Sequence, residues 1–105
     1  MDVPSPAEFL AALGLDPCEA YPDDCRWAYR IIDGAGAAVV LSFDVFQRSV
    51  QTVAPATTVV CEGMTRLWLD GTTVRGEGRW RGAQLTLTIT TAPALDVRWA
   101  TLVDG

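Results

Sequence analysis

At 105 residues, half of them hydrophobic and a fifth charged, the chain has the size of one domain and too much apolar content for global disorder. It has no histidine, and all eight cations are arginine. The usual neutral-pH general base and lysine-based mechanisms are therefore excluded. A net charge of −5 argues against a nucleic-acid backbone as ligand, and no apolar run approaches the roughly 20 residues that span a bilayer.

The first residues, MDVPSPAEFLAAL, lack the basic start and long apolar stretch of a secretory signal, so a cytoplasmic protein is expected. Ser5 followed three residues later by Glu8 is the pattern of a capping box, with Pro6 at the first helical position and Gly14 as a left-handed stop. The spacing predicts a helix over about 6–13 with Phe9, Leu10 and Leu13 on one stripe. So short a helix does not persist alone in water, and its stripe must dock. Residues 15–24 read as an acidic connector punctuated by Pro17 and Pro22.

After the connector the pattern turns to period two. From Cys25 to Asp33, Trp27, Tyr29 and Ile31 share one face. A turn at 33–36 leads into 37–44, apolar on both faces, as a central strand covered on both sides would be. A weaker strand over 48–53 ends at Ala54-Pro55. The run 59–70, interrupted by Gly63, reads as two short strands or one bulged strand. Asp70-Gly71 is a hairpin signal. The return over 72–81 sets Arg75, Glu77, Arg79 and Arg81 on one face and Val74, Gly76, Gly78 and Trp80 on the other. Leu85, Leu87 and Ile89 point inward from the next strand, and Leu95, Val97, Trp99, Thr101 and Val103 line one face of the last.

These elements predict a mainly β (α+β) single domain over residues 1–105. Its expected architecture is a meandering antiparallel sheet of six to seven strands over 25–103, strongly curved or a half-barrel. The N-terminal helix packs on the concave side, and a closed barrel or two-sheet sandwich is the alternative. The connections are too short for parallel crossovers.

The candidate sites follow from charge and parity. Residues 1–45 hold eight carboxylates against two arginines, whereas the rest hold five against six. Asp16, Glu19, Asp23 and Asp24 of the connector lack the tight glycine turn of a calcium loop, and read as a solvated loop or as the contact for a basic protein. Arg75, Arg79 and Arg81, with Arg66 on a neighbouring strand, read as an exposed face paired with glutamate or as an anion- or partner-gripping one. Trp27, Trp80 and Trp99 fall on the apolar parity of their strands and are expected in the core. Trp68 shares its parity with Arg66 rather than Leu67, so it is expected outside as an interface anchor. Cys18, Cys25 and Cys61 lack zinc spacing and read as free thiols, although a Cys18–Cys25 disulfide is sterically conceivable. No metal or cofactor is expected.

Together these features point to a non-catalytic protein-binding module, such as a small acidic inhibitor or immunity-type protein that neutralises a basic enzyme. Asp16, Glu19, Asp23, Asp24 and Trp68 would carry the contact, with Arg75, Arg79 and Arg81 as a second pole. The alternatives are a carrier for a small hydrophobic ligand, with a pocket lined by Trp27, Trp80 and Trp99, or a self-assembling subunit such as a homodimer.

Overall fold

In the computed structural model, which describes residues 1–103, the capping box closes as the sequence predicts. The Glu8 amide donates to Ser5 Oγ at 3.2 Å and the Ser5 amide donates to Glu8 Oε1 at 3.3 Å. These bonds start helix α1 (Pro6–Leu13), and Gly14, at φ 68°, ends it by donating to the Leu10 carbonyl. Only Phe9 of the expected stripe is buried. Leu10 lies 100° further round the helix and stays half-exposed.

Among the described residues nine strands follow: β1 (Glu19–Tyr21), β2 (Arg26–Ile32), β3 (Ala38–Asp44), β4 (Ser49–Val53), β5 (Thr58–Cys61), β6 (Met64–Asp70), β7 (Thr73–Trp80), β8 (Ala83–Thr90) and β9 (Asp96–Val103). Except between β5 and β6, each pairs antiparallel with the next in chain order, so the meander is as expected. Its division is not. The strands form a five-stranded sheet, β1 to β5, and a four-stranded sheet, β6 to β9, in place of one curved sheet of six or seven. The connector contributes two of the unexpected pieces, β1 and a 3₁₀ turn at Pro22–Asp24.

The chain changes sheets once, at Glu62-Gly63. Gly63 has a φ of 77°, and a Cβ there would overlap the carbonyl oxygen of Arg79. Its own carbonyl accepts from the Arg79 amide at 3.0 Å, while the Met64 amide donates to the Arg48 carbonyl at 3.0 Å. The crossover is thereby tied to both sheets. Gly78 makes room for it, since a Cβ at that position would meet the Met64 Cα at 2.7 Å. A residue read as ordinary strand interruption is therefore the hinge between two layers.

The inner faces of both sheets form one core. Tyr29, Ile31, Val39, Leu41, Phe43 and Val50 come from the first, and Met64, Leu67, Val74, Leu85, Leu87 and Ile89 from the second. Phe9 enters from α1 and stacks on Tyr29, ring centroids 3.9 Å apart, with Phe43 at 6.1 Å. Burying such a side chain contributes about 1.5–3 kcal/mol, so this aromatic group anchors the helix. Two polar ties also join the sheets. Trp99 Nε1 donates to Thr52 Oγ1 at 2.9 Å. Asp33, in the β2–β3 turn, accepts from the amides of Ala35 and Ala37 at 2.8 and 2.9 Å, and from Leu95 at 2.8 Å.

β3 is central in its sheet, as its apolar run implies. Val39, Leu41 and Phe43 are buried, but Ala38, Val40, Ser42 and Asp44 on its other side are only half-covered, because no layer packs on them. That uncovered side holds the candidate site.

Candidate partner-binding surface

Cross-strand register puts Glu19 and Tyr21 of β1, Arg26 and Ala28 of β2, Ser42 and Asp44 of β3, and Ser49 and Gln51 of β4 on one outer face. They line a trough of about 320 Å³ with Val60 of β5 on its far wall. Ala28 is its floor. It is almost fully buried although it points away from the core, because its small side chain lies between Glu19 and Ser42. A second depression of about 420 Å³ adjoins it, bounded by Asp23, Asp24, Arg26, Asp44, Phe46 and Gln47.

The electrostatics of the two depressions are lopsided. Glu19, Asp23, Asp24 and Asp44 stand against one guanidinium, that of Arg26. Arg26 lies 3.5 Å from Asp24 Oδ2 and 5.0 Å above the Tyr21 ring. Asp44 also accepts from the Gln47 amide at 2.9 Å, which fixes the β3–β4 turn and with it Phe46. Phe46 is 86% exposed and Tyr21 49%. Exposed aromatics of this kind are the side chains that most often anchor protein interfaces.

The expected site residues divide between the two outer faces. Glu19, Asp23 and Asp24 are brought together around these depressions. Asp16, exposed on the loop before β1, lines neither, and its charge is felt at Tyr29, whose phenol is raised above its ordinary pKa first by burial and then by Asp16. Trp68, Arg75 and Arg79 lie on the outer face of the four-stranded sheet, on the opposite side of the core. Trp68 points outward as its parity implies, but the Arg66 guanidinium lies 4.0 Å over its ring and leaves it half-buried. Arg75 pairs with Asp70 at 3.0 Å and Arg66 with Glu77 at 3.8 Å. Arg81 leaves the stripe altogether, since β7 ends at Trp80 and Arg81 turns the chain at a φ of 50°.

Trp80 corrects a second expectation. It has the inward parity but sits at the end of β7, 51% exposed, with Arg81 stacked at 4.5 Å. It borders an apolar depression of about 440 Å³ together with Val60, Cys61, Glu62, Leu85 and Thr101. Trp27 and Trp99 are partly buried against the core, as expected, and do not line it. Burial pushes the Cys61 thiol above its ordinary pKa. All three cysteines are free, and Cys18 and Cys25 lie at opposite ends of the β1–β2 ladder, which rules out a bridge between them. Among the described residues no three acidic or cysteine side chains gather as metal ligands, and no helix is long and apolar enough to cross a membrane.

Sequence reasoning missed Tyr21, Asp44 and Phe46. Tyr21 falls in a strand too short to show alternation. Phe46, a large apolar residue directly after a strand and inside a turn, was a readable signal.

No protein-family model matches the chain, and no curated protein matches it in sequence. Its fold is shared with a chain of a contact-dependent growth inhibition toxin–immunity protein complex from Klebsiella pneumoniae 342. The two superimpose with a TM-score of 0.80 over 96% of each chain at 16% identity.

Proposed function

We propose that this protein is a non-catalytic, cytoplasmic binding module of the immunity type, which neutralises a basic protein by covering it with the outer face of the five-stranded sheet. The observation that carries this reading is the make-up of that face: four carboxylates against one guanidinium around two joined depressions, with Tyr21 half-exposed and Phe46 almost wholly exposed beside them. An acidic surface of this kind steers a basic partner into encounter, and exposed aromatic rings supply the area that desolvation makes favourable. The fold shared with a chain of a toxin–immunity complex supports the same class of role. Glu19, Asp23, Asp24 and Asp44 are the contact carboxylates, and Asp16 is a more distant contributor to the field. Trp68, Arg75, Arg79 and Arg81 lie outside this contact.

The test is capture from the native organism's lysate with the tagged full chain, at low and high salt. Two variants run beside it: Glu19→Gln/Asp23→Asn/Asp24→Asn/Asp44→Asn, and Arg75→Gln/Arg98→Gln on the other face. One basic protein should be retained at low salt and weakened at high salt. Its affinity should fall by about tenfold or more in the first variant, because partly desolvated charge pairs are lost, and change by less than about twofold in the second. Full retention by the first variant would remove this face from the proposal.

A small hydrophobic-ligand carrier is the second reading, favoured by the apolar depression beside Val60, which is 60% exposed, and Trp80. A change in tryptophan emission on adding long-chain fatty acids, with no protein captured, would select it.

A further inference from the structure

We infer that the outer face of the five-stranded sheet receives an arginine or lysine side chain of its partner in a seat that Arg26 now fills, so that Arg26 acts as a tethered competitor for binding. This rests on the reading of that face as the partner-binding surface.

Three elements build the seat. Tyr21, the last residue of β1, presents its ring 5.0 Å below the Arg26 guanidinium. Asp24, in the 3₁₀ turn that follows, brings a carboxylate oxygen to 3.5 Å. Asp44 stands opposite Arg26 across the β2–β3 ladder. A ring face and a carboxylate at contact distance, with a second carboxylate on the neighbouring strand, are surroundings a cationic side chain prefers. Every group in the seat is partly open to water, so the hold on Arg26 is weak and exchangeable. Nothing in that chemistry distinguishes Arg26 from a cation arriving on another chain. The arriving cation would in addition meet Glu19 on the trough wall and Phe46 beside the second depression. Because Arg26 lines both depressions, its displacement leaves their shared rim, Asp44 and Gln47, without a cation. Arg30 provides an internal control. It lies four residues on and on the same face, and among the described residues no ion pair or ring contact engages it.

The experiment is a titration of the full chain with a hexa-arginine peptide at low salt, followed by amide NMR shifts, for the wild type, Arg26→Gln and Arg30→Gln. The peptide should shift amides of residues 19–26 and Asp44. Its Kd should fall about threefold in Arg26→Gln, the size of an exposed cation–π and ion-pair contact, and clearly less in Arg30→Gln, which removes the same charge. Adding Tyr21→Leu to Arg26→Gln should cancel the gain. Equal tightening in the two glutamine variants would reduce the effect to bulk charge and overturn the proposal. Unchanged or weaker binding in Arg26→Gln would overturn it as well, leaving the partner-binding reading of the face intact. No shifts on this face in any of the proteins would instead overturn that reading, and the seat with it.

Discussion

The two outer faces of the molecule are built from the same kind of antiparallel ladder, yet they balance their charges differently. On the four-stranded sheet, Arg75 pairs with Asp70, Arg66 with Glu77 and Arg98 with Asp96, and Arg66 also covers Trp68. That face is internally satisfied. On the five-stranded sheet four carboxylates share one close guanidinium; Tyr21, under that guanidinium, stays half-exposed, and Phe46 has little over it. The density of arginine in the second half of the sequence marks the quieter surface, because its charges neutralise one another and exposed pairs of that kind contribute little. An unbalanced face costs some self-repulsion and leaves groups unsatisfied, so it is the one with something to gain from a partner.

The scaffold behind each face offers ways to sharpen that contrast. The largest effect is expected from Phe9→Ala, which should cost about 3–5 kcal/mol in urea unfolding as the ring that stacks on Tyr29 and Phe43 is lost. If the helix chiefly supports the five-stranded sheet, amide exchange should accelerate more in β2 and β3 than in β7 and β8. Equal acceleration would mean that the two faces share one support.

A smaller loss, about 1–2 kcal/mol, is expected from Trp99→Phe, because Thr52 Oγ1 is buried and loses the indole donor that ties the sheets together. A variant as stable as the wild type would show that apolar packing alone aligns the two layers.

The remaining tie is pH-dependent. Asp33 is held below the usual carboxylate range, first by the Leu95 amide and then, against the opposing effect of burial, by the amides of Ala35, Ala37 and Gly36. Its folded pKa lies below its unfolded one, so its stabilisation is fully present above about pH 4 and is lost as pH falls through the folded value. Thermal melts from pH 6 to pH 2 should therefore show an acid-side loss for the wild type that is shallower in Asp33→Asn. Parallel curves would discard this tie as a source of the loss.

The local signals were legible because each is decided within a few residues. Ser5, Glu8 and Gly14 specify both ends of α1, and the parity of Trp27, Tyr29 and Ile31 places the core side of β2. The acidic connector was also visible, and three of its four carboxylates do gather on one surface. Leu10, Trp80 and Arg81 were misplaced for a common reason. A face pattern holds only inside its element and only where another layer lies opposite. Leu10 turns away from the sheets, Trp80 lies at the end of β7 and stays exposed, and Arg81 belongs to a turn.

By itself, then, the sequence determined the class of the protein: mainly β, antiparallel, opened by a capped helix, acidic in its first half and without histidine or lysine. Those properties follow from composition and from periods of two or 3.6 residues, which need no knowledge of distant contacts. Only the tertiary structure decided that the meander breaks into two sheets at Gly63, that Asp44 and Phe46 join Glu19, Asp23 and Asp24, and that Arg66 shields Trp68. Each of these depends on which strands become neighbours and on which side a second layer covers. Strand pairing is a property of residues far apart in the chain, and hydrophobic alternation records that a face is buried without recording against what.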